Sequence, residues 1–219
     1  MLSTFLQTPR LFRALALLAV LILIASLFSA QLAPYDPYAT NPQLILKAPS
    51  PEHLLGTDNY GRDILSRILA GGRTSIFSAL FIILIAGSFG SMIGLLAGYY
   101  RGRMDAILMR VTDIFQAFPD IVLAIAVAGV LGGGLFNAVL ALILTTWTQY
   151  ARLARSAAAA AREETYIHAA RLSGCNDARI LFLHILPNIA GPLLITAILH
   201  VSTMMMGLAG LSYLGIGVQ

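Results

Sequence analysis

The sequence predicts an all-α membrane protein, a bundle of helices that cross the bilayer several times. Of its 219 residues, 58% are hydrophobic and only 11% are charged, whereas soluble domains have about 45–50% apolar and about 25% charged residues. The mean hydropathy is +0.81. Four stretches without Asp, Glu, Lys or Arg are long enough for a spanning helix of about 20 residues. They are Ala14–Leu32, Thr74–Tyr100, Ile121–Ala151 and Ile185–Gln219.

The first two stretches are each interpreted as one span. Arg10 and Arg13 precede the first, as they would in a signal peptide, but Phe28-Ser29-Ala30 is a poor small-x-small cleavage site, which favours a retained anchor. The second carries a ladder of glycines, and small residues at helical spacing let helices approach closely in lipid. The ladder therefore predicts close helix packing rather than gating. Its members are Gly87, Gly90, Gly94 and Gly98.

The third stretch is interpreted as two helices, at about 113–131 and 136–151, around the turn Gly132-Gly133-Gly134. With two helices, ten of the fourteen Lys and Arg residues lie on the side of the amino terminus, whereas a single helix would leave five there. The positive-inside rule therefore favours five spans, with a cytoplasmic amino terminus. The ten are Arg10, Arg13, Arg101, Arg103, Arg110, Arg152, Arg155, Arg162, Arg171 and Arg179.

A polar outer segment, residues 33–73, separates the first two spans and is longer than loops without structure usually are. Its apolar positions at helical spacing predict an interfacial helix that lies against the membrane. Asp58, Asp63 and His53 are candidates for a metal or catalytic site. Because both carboxylates flank Arg62, they are interpreted instead as a structural ion-pair cluster. The apolar positions of the predicted helix are Ile64, Leu65, Ile68 and Leu69.

A second polar segment, Ala161–Pro187, lies between two uncharged stretches. Within it, HAARLSG (His168–Gly174) is followed thirteen residues later by Pro187. This order predicts a short amphipathic helix, a glycine, and a second helix closed by proline. Between two spans, such an arrangement is more typical of a docking element for a partner protein than of a spacer.

Four motifs in this order resemble one family. They are GTDNYGRDILSRILAGGRTS, RGRMDAILMRVTDIFQAFP, the HAARLSG loop with its distal LPN, and AGLSYLGIG. Together they resemble the inner-membrane permease subunits of bacterial ABC importers for dipeptides, oligopeptides and nickel, in particular the C-type subunit of each pair, with the nickel permeases most similar. The resemblance covers nearly the whole chain from Leu32 onward. It implies the transmembrane fold of a type I ABC importer.

The family's cytoplasmic loop carries Glu-Ala-Ala, then glycine, then a distal proline. The resemblance implies that the matching residues couple this chain to an ATPase, because small side chains let a short helix seat in a groove of a partner. Histidine replaces the family's glutamate at the first position. The matching residues are His168, Ala169, Ala170, Gly174 and Pro187.

The resemblance also implies the partners. They are a second permease subunit that forms a heterodimer, two ATP-binding subunits that hold ATP and Mg, a periplasmic substrate-binding protein, and membrane lipid. The chain has no G-x-x-x-x-G-K-[ST] phosphate loop, so it is expected to be a transport subunit without cofactor or ATPase site. Its +4 net charge forms no basic run typical of nucleic-acid binding. Family members continue into a sixth span, so a chain ending at Gln219 is expected to be truncated or a fragment.

Polar groups within the spans are candidates for the translocation path, because they are costly in lipid. His200 and Met204 lie four residues apart on one helix face, and imidazole and thioether suit late transition metals. They are the candidate metal ligands, and Met205 and Asp120 complete the predicted path. Nickel or a metal chelate is therefore the first hypothesis for the substrate, and peptides are the second. Methionine is also a common core filler, and Asp120 also suits a helix cap.

Three regions are expected: residues 1–32 with the first span, residues 33–73 as the periplasmic segment, and residues 74–219 as the transmembrane domain with its coupling loop at 152–187. Two other classes remain as alternatives. A secondary transporter would call for internal repeats with broken helices, and no convincing repeat is present. A membrane enzyme would call for a nucleophile–base pair or a ligand triad at catalytic spacing, and the sequence has neither.

Overall fold

The computed structural model describes residues 9–217, which are mostly helical and contain one isolated β-bridge, between Thr57 and Asp63, in place of a sheet. The chain forms two compact units, one ending at Phe77 and the other beginning at Ser78. Residues 1–8, before the first predicted span, and the last two residues of the stretch Ile185–Gln219 lie outside the described residues. The helices are α1 (Arg10–Leu27), α2 (Ser29–Leu32), α3 (Ile64–Tyr100), α4 (Gly102–Gln116), α5 (Asp120–Val130), α6 (Leu135–Ala161), α7 (Thr165–Leu172), α8 (Asp177–Arg179) and α9 (Leu186–Tyr213), with a 3₁₀ turn at Pro42–Leu44 and a π-helical turn at Ile180–Ile185.

Three of the described helices are long and apolar enough to cross a membrane: α1, α3 and the continuous helix Asp177–Tyr213. Helices α4 and α5 together make a fourth, although they are bent by 80° at their junction. Helix α6 has 27 residues, which at 1.5 Å per residue gives about 40 Å, more than the ~30 Å hydrocarbon core. Helix α6 stands where the remaining predicted span is expected but is not among the helices that are apolar enough to cross, so residues 9–217 provide three spans, or four with the bent pair, against five predicted. The predicted all-α fold with several spans is confirmed.

The third predicted span is wrong as a single helix. Helix α4 ends at Gln116 and α5 begins at Asp120. Pro119 lies in the break; it lacks an N–H and disfavours helical backbone at the preceding residue. The predicted glycine turn after this span is confirmed, because Gly132, Gly133 and Gly134 have φ of +91°, +75° and +89°, a backbone conformation that glycine adopts without steric cost.

Two further helix boundaries differ from the prediction. The predicted interfacial helix is not separate, because α3 continues without a break through residues 64–69 into the second span. Pro187 does not close a helix either. It lies in the first turn of α9, directly after the π-helical turn Ile180–Ile185. Proline has no N–H to donate to the preceding turn. The wider π-helical turn before it accommodates this missing hydrogen bond, so the helix continues to Tyr213.

The glycine ladder of α3 packs against the backbone of α6, as predicted. A Cβ atom added to Gly90 would lie 2.1 Å from the carbonyl oxygen of Trp147, and one added to Gly94 would lie 2.1 Å from that of Ala151. A Cβ atom on Gly98 would lie 2.4 Å from a third α6 carbonyl. Only residues without a side chain allow this separation, so the ladder fixes how closely these two helices pack.

The outer segment, within the first unit, is held by its ionisable side chains. Asp58 accepts from Nε of Arg62 at 2.8 Å and lies 3.4 Å from Nε of Arg67. Asp63 is 3% exposed, and its two carboxylate oxygens bind Nδ1 of His53 at 2.9 Å and the hydroxyl of Ser66 at 2.7 Å. The carboxylates are therefore occupied by protein partners, which supports the structural interpretation over a metal or catalytic one.

The pKa values of these two carboxyls agree with that role. Burial alone would raise the pKa of Asp58, but hydrogen bonds from the backbone amides of Arg62 and Tyr60 outweigh it and the pKa is lowered. Burial likewise acts to raise the pKa of Asp63, and hydrogen bonds from the amide and hydroxyl of Ser66 and from His53 outweigh it. Because both pKa values are lowered, the stabilisation is present above the unfolded value and is lost as the pH falls through the folded one.

The glycine ladder predicts that two Gly→Ala substitutions in spanning helices change the stability of the protein by different amounts. Gly94→Ala should destabilise the protein by about 1–3 kcal/mol, because the added methyl group overlaps the α6 backbone. Gly191→Ala in α9 meets no atom within 4 Å and should change stability by less than about 1 kcal/mol, the scale of helix propensity. Thermal unfolding of the purified variants in detergent measures both. Equal melting temperatures for the two variants would contradict the ladder's role.

Candidate translocation cavity and docking helix

A cavity of about 390 Å³ lies between α5, α6 and α9. Seven of its twelve lining residues have polar side chains, in helices that are otherwise largely apolar. Three of the four residues predicted for the translocation path line this one cavity although they come from two distant parts of the chain. The lining residues are Asp120, Ile121, Leu142, Thr145, Thr146, Gln149, His200, Ser202, Thr203, Met204, Met206 and Gly207.

Asp120 is the charged group of this cavity. Its carboxylate accepts a hydrogen bond from Nε2 of Gln149 on α6 at 2.8 Å. The alternative that Asp120 caps its helix is wrong, because Pro119 occupies the N-cap position, where no side-chain cap hydrogen bond is present, and Asp120 is the first residue of α5. Its negative charge still lies favourably at the positive end of the helix dipole. The carboxylate is exposed and retains lone pairs for a cationic solute.

His200 and Met204 lie one turn apart on α9 and line the same cavity. The imidazole of His200 meets the ring of Tyr150 edge-on, with centroids 5.3 Å apart. Its Nδ1 atom is buried and has no hydrogen-bond partner within residues 9–217. A buried polar atom left unpaired costs about 1–3 kcal/mol, so this nitrogen is the clearest uncompensated group of the cavity.

The methionines divide between the cavity and the core. Met204 is 7% exposed, and its sulfur accepts from Oγ1 of Thr146 at 3.4 Å. Met206 lines the cavity, whereas Met205 packs against the main hydrophobic core and is absent from the lining. Among the residues that the structure describes, no three His, Cys, Asp or Glu side chains are grouped as a metal site.

Three polar residues of α6 complete the cavity and were missed by the sequence interpretation: Thr145, Thr146 and Gln149. They belong to the run Thr-Thr-Trp-Thr-Gln near the end of the uncharged stretch Ile121–Ala151. The signal was available, because polar residues inside a span are expensive and usually face a cavity or another helix.

The predicted docking residues lie on and beside helix α7. His168 and Ala169 are exposed on its outer side, and Ala170 is half-buried. Ile167 is fully buried in a second core cluster that holds α7 against the ends of α3 and α6. Leu172 is 90% exposed. A short helix anchored by one face and exposing small and apolar residues on the other is suited to insertion into a partner's groove.

Gly174 and Pro187 occupy different places relative to this helix. Gly174 follows α7 with φ +81° and has open space around it, so it ends the helix in a left-handed conformation. Pro187 lies farther along, in the first turn of α9. The residue after it, Asn188, donates from Nδ2 to the hydroxyl of Tyr166 at 2.8 Å, which joins the base of α9 to α7.

Comparison with known proteins places this arrangement in a family. Residues 90–219 match the family of binding-protein-dependent transport system inner membrane components. The chain is 41% identical to the probable D,D-dipeptide transport system permease of Escherichia coli K12, over 93% of this chain and 68% of that protein. It is also 41% identical to the nickel transport system permease of the same strain, over 94% and 74%.

One further relative and one solved structure agree with this family. The chain is 43% identical to the glutathione transport system permease of Pectobacterium atrosepticum, over 92% of this chain and 68% of that protein. A solved inward-facing structure of the MetNI methionine ABC transporter has a similar fold, with a TM-score of 0.51 and 20% identity over 66% of this chain and 81% of that one. This chain belongs to the binding-protein-dependent inner-membrane transport components and is a permease subunit of an ABC importer.

Proposed function

We propose that this chain forms one half of a translocation path for nickel or a metal chelate, with the α5–α6–α9 cavity as its share of that path. The observation that carries the proposal is the convergence of Asp120, His200 and Met204 on one cavity in otherwise apolar helices. A carboxylate attracts a cation, and imidazole and thioether are ligands for late transition metals. Few contacts at a time suit a conduit, because a tightly held ion would not leave.

A peptide is the second candidate substrate. Asp120 and its partner Gln149 together offer a carboxylate for an ammonium group and an amide for a peptide bond. The relatives named for dipeptide and nickel transport are equally similar to this chain, at 41% identity. Uptake of radiolabelled nickel and of a radiolabelled dipeptide by cells that express the complete importer separates the two. Import of the dipeptide alone would overturn the metal proposal.

The membrane arrangement and the partners follow from the family. An importer permease works with a partner permease, an ATPase and a substrate-binding protein. We infer that the partner permease is a different chain, that two ATP-binding subunits bind the ATP and Mg, and that this chain lies in a bacterial inner membrane with its amino terminus in the cytoplasm. The ten-to-four division of basic residues supports this orientation.

We further propose that α7 docks the ATPase. The support is its exposed outer side, its buried anchor Ile167, and the match of Ala169, Ala170 and Gly174 to the coupling motif, with His168 at the position of the motif's glutamate. A contact of this kind transmits ATP-driven movement only if the helix is fixed to the spanning helices, and the second core cluster provides that connection.

The orientation predicts one-sided labelling at α7. In a Cys175→Ser background, Thr165→Cys should resist a membrane-impermeant maleimide in intact cells with a permeable outer membrane and react readily in inverted vesicles. Glu52→Cys, which is exposed in the outer segment, should show the opposite pattern and is the matched control. Ready labelling of Thr165→Cys in intact cells would overturn the proposed orientation.

The cavity predicts that His200→Leu combined with Met204→Leu lowers nickel import about tenfold, the effect of losing about 1.4 kcal/mol of interaction with the solute. Leucine preserves bulk and hydrophobicity, so insertion should be unchanged. Met205→Leu, in the same helix but outside the cavity lining, should import normally. Normal nickel import by the double variant would reduce both residues to packing.

The docking proposal predicts that Gly174→Glu lowers both ATPase co-purification and import at least tenfold while the chain remains inserted. Because any side chain at φ +81° is strained, Gly174→Asn is the control. Asparagine tolerates left-handed backbone better than most residues and adds no charge. If Gly174→Glu retained the ATPase and imported normally, α7 would not be the docking site.

A further inference from the structure

One side chain joins the end of α3 to the beginning of α8. The hydroxyl of Tyr99 donates to the carboxylate of Asp177 at 2.6 Å, across 78 positions of sequence. Tyr99 is 3% exposed. Hydrogen bonds between a hydroxyl and a carboxylate are short and among the stronger ones in proteins. The bond therefore fixes two helix ends that the chain itself does not connect directly.

The same ring contacts the ends of two more helices. The guanidinium of Arg171, in the last turn of α7, lies 5.3 Å from the centroid of the Tyr99 ring. The guanidinium of Arg162, at the C-cap of α6, lies 5.9 Å from it. Both distances are within the range of a cation–π interaction. Tyr99 is thus a junction between the ends of α3, α6 and α7 and the start of α8.

This junction joins α7 to the helix that lines the cavity. Asp177 begins the continuous helix Asp177–Tyr213, which carries His200 and Met204 into the cavity wall. Helix α3 ends at the same junction and packs along α6 through its glycine ladder. The Tyr99–Asp177 hydrogen bond therefore passes a displacement of α7 to two spanning helices together, beside the apolar contacts of Ile167 and the hydrogen bond between Asn188 and Tyr166.

We propose that Tyr99 is a positioning residue that couples movement of α7 to α3 and to the helix Asp177–Tyr213, with Asp177 as its partner. The inference rests on the proposed docking of the ATPase at α7. The Tyr99 hydroxyl can take this role because it contributes little to the packing of its own side chain. The apolar cluster around it, with Leu95, Ile167 and Ile180 fully buried, holds the ring whether or not the hydroxyl is present, and Asp177 is exposed and has solvent available.

The test measures coupling rather than activity alone. Tyr99→Phe keeps the ring and removes the hydrogen bond. The variant is reconstituted with its partner subunits and assayed with radiolabelled nickel, or with a radiolabelled dipeptide where nickel is not imported. It should hydrolyse at least threefold more ATP per molecule imported than the wild-type protein does. Co-purification of the ATPase should be unchanged. Tyr100→Phe, at the exposed neighbouring tyrosine, is the matched control and should keep the wild-type ratio. A merely structural role would lower import and ATP hydrolysis in proportion, and an unchanged ratio overturns the proposal.

Substitution of the partner provides an independent measurement that leaves the core intact. Asp177→Ala should raise the ratio of ATP hydrolysed to molecules imported, as Tyr99→Phe does. Asp177→Asn should keep part of the coupling because its side-chain carbonyl still accepts a hydrogen bond. Tyr99→Phe combined with Asp177→Ala should raise the ratio no further than either single substitution. Additive effects in the double variant would overturn the pairing. If Gly174→Glu abolishes ATPase binding while Tyr99→Phe keeps the normal ratio, this inference alone fails. If Gly174→Glu changes nothing, the docking proposal fails first.

Discussion

The close approach of α3 to α6 is the constraint on which the larger unit depends. A Cβ atom added to Gly90, Gly94 or Gly98 would lie less than 2.5 Å from the facing α6 carbonyl, so no other residue fits without moving the helices. Once α6 is fixed in this way, its middle presents Thr145, Thr146 and Gln149 to the cavity. Its carboxyl end leads to the docking segment, so a single helix relates the two sites.

Electrostatics reinforces the same helix. Nε of Arg155 donates to Asp105 at 2.8 Å, and a terminal nitrogen of Arg152 donates to Asp113 at 2.7 Å. These two ion pairs tie α4 to α6 on the side of the basic residues. Gln149 then binds Asp120 at the start of α5. The bent pair α4–α5 is therefore attached to α6 by polar contacts on both sides of its break, which explains how an 80° bend persists in an otherwise apolar bundle.

Much of this was predictable from the sequence because lipid imposes simple rules. Uncharged length located the spans, glycine spacing located the close contact, and Gly132–Gly134 located a turn. The break before Asp120 was missed because Phe118-Pro119 stands at the edge of an uncharged stretch, where a proline was assigned to the end of the span. The continuity of α3 was missed because Arg67 and Arg73 interrupt the apolar pattern without interrupting the helix.

The sites were predictable in part for a different reason. The four-residue spacing of His200 and Met204 is local, so their common face is set by the helix alone. Their meeting with Asp120 and Gln149 depends on how α5, α6 and α9 pack, and no local pattern specifies that. Tyr99 and Asp177 illustrate the same limit: each is ordinary in its own segment, and only the packed helix ends bring them to 2.6 Å.

The proposed function requires that the α5–α6–α9 cavity belong to an aqueous path and not be a hollow that faces lipid. Thr203 is exposed and lines the cavity, whereas Ile198 is 71% exposed on the same helix outside it. Thr203→Cys and Ile198→Cys are each made in a Cys175→Ser background and reconstituted in proteoliposomes of the complete importer. Their reactivity toward a charged thiol reagent is measured in two states, without nucleotide and after trapping with ATP and vanadate. If the cavity belongs to an aqueous path, Thr203→Cys should react from one side of the membrane in one state and from the other side in the second. Ile198→Cys should react only with a lipid-soluble maleimide. If Thr203→Cys also reacts only with the lipid-soluble reagent in both states, the cavity is not part of the path.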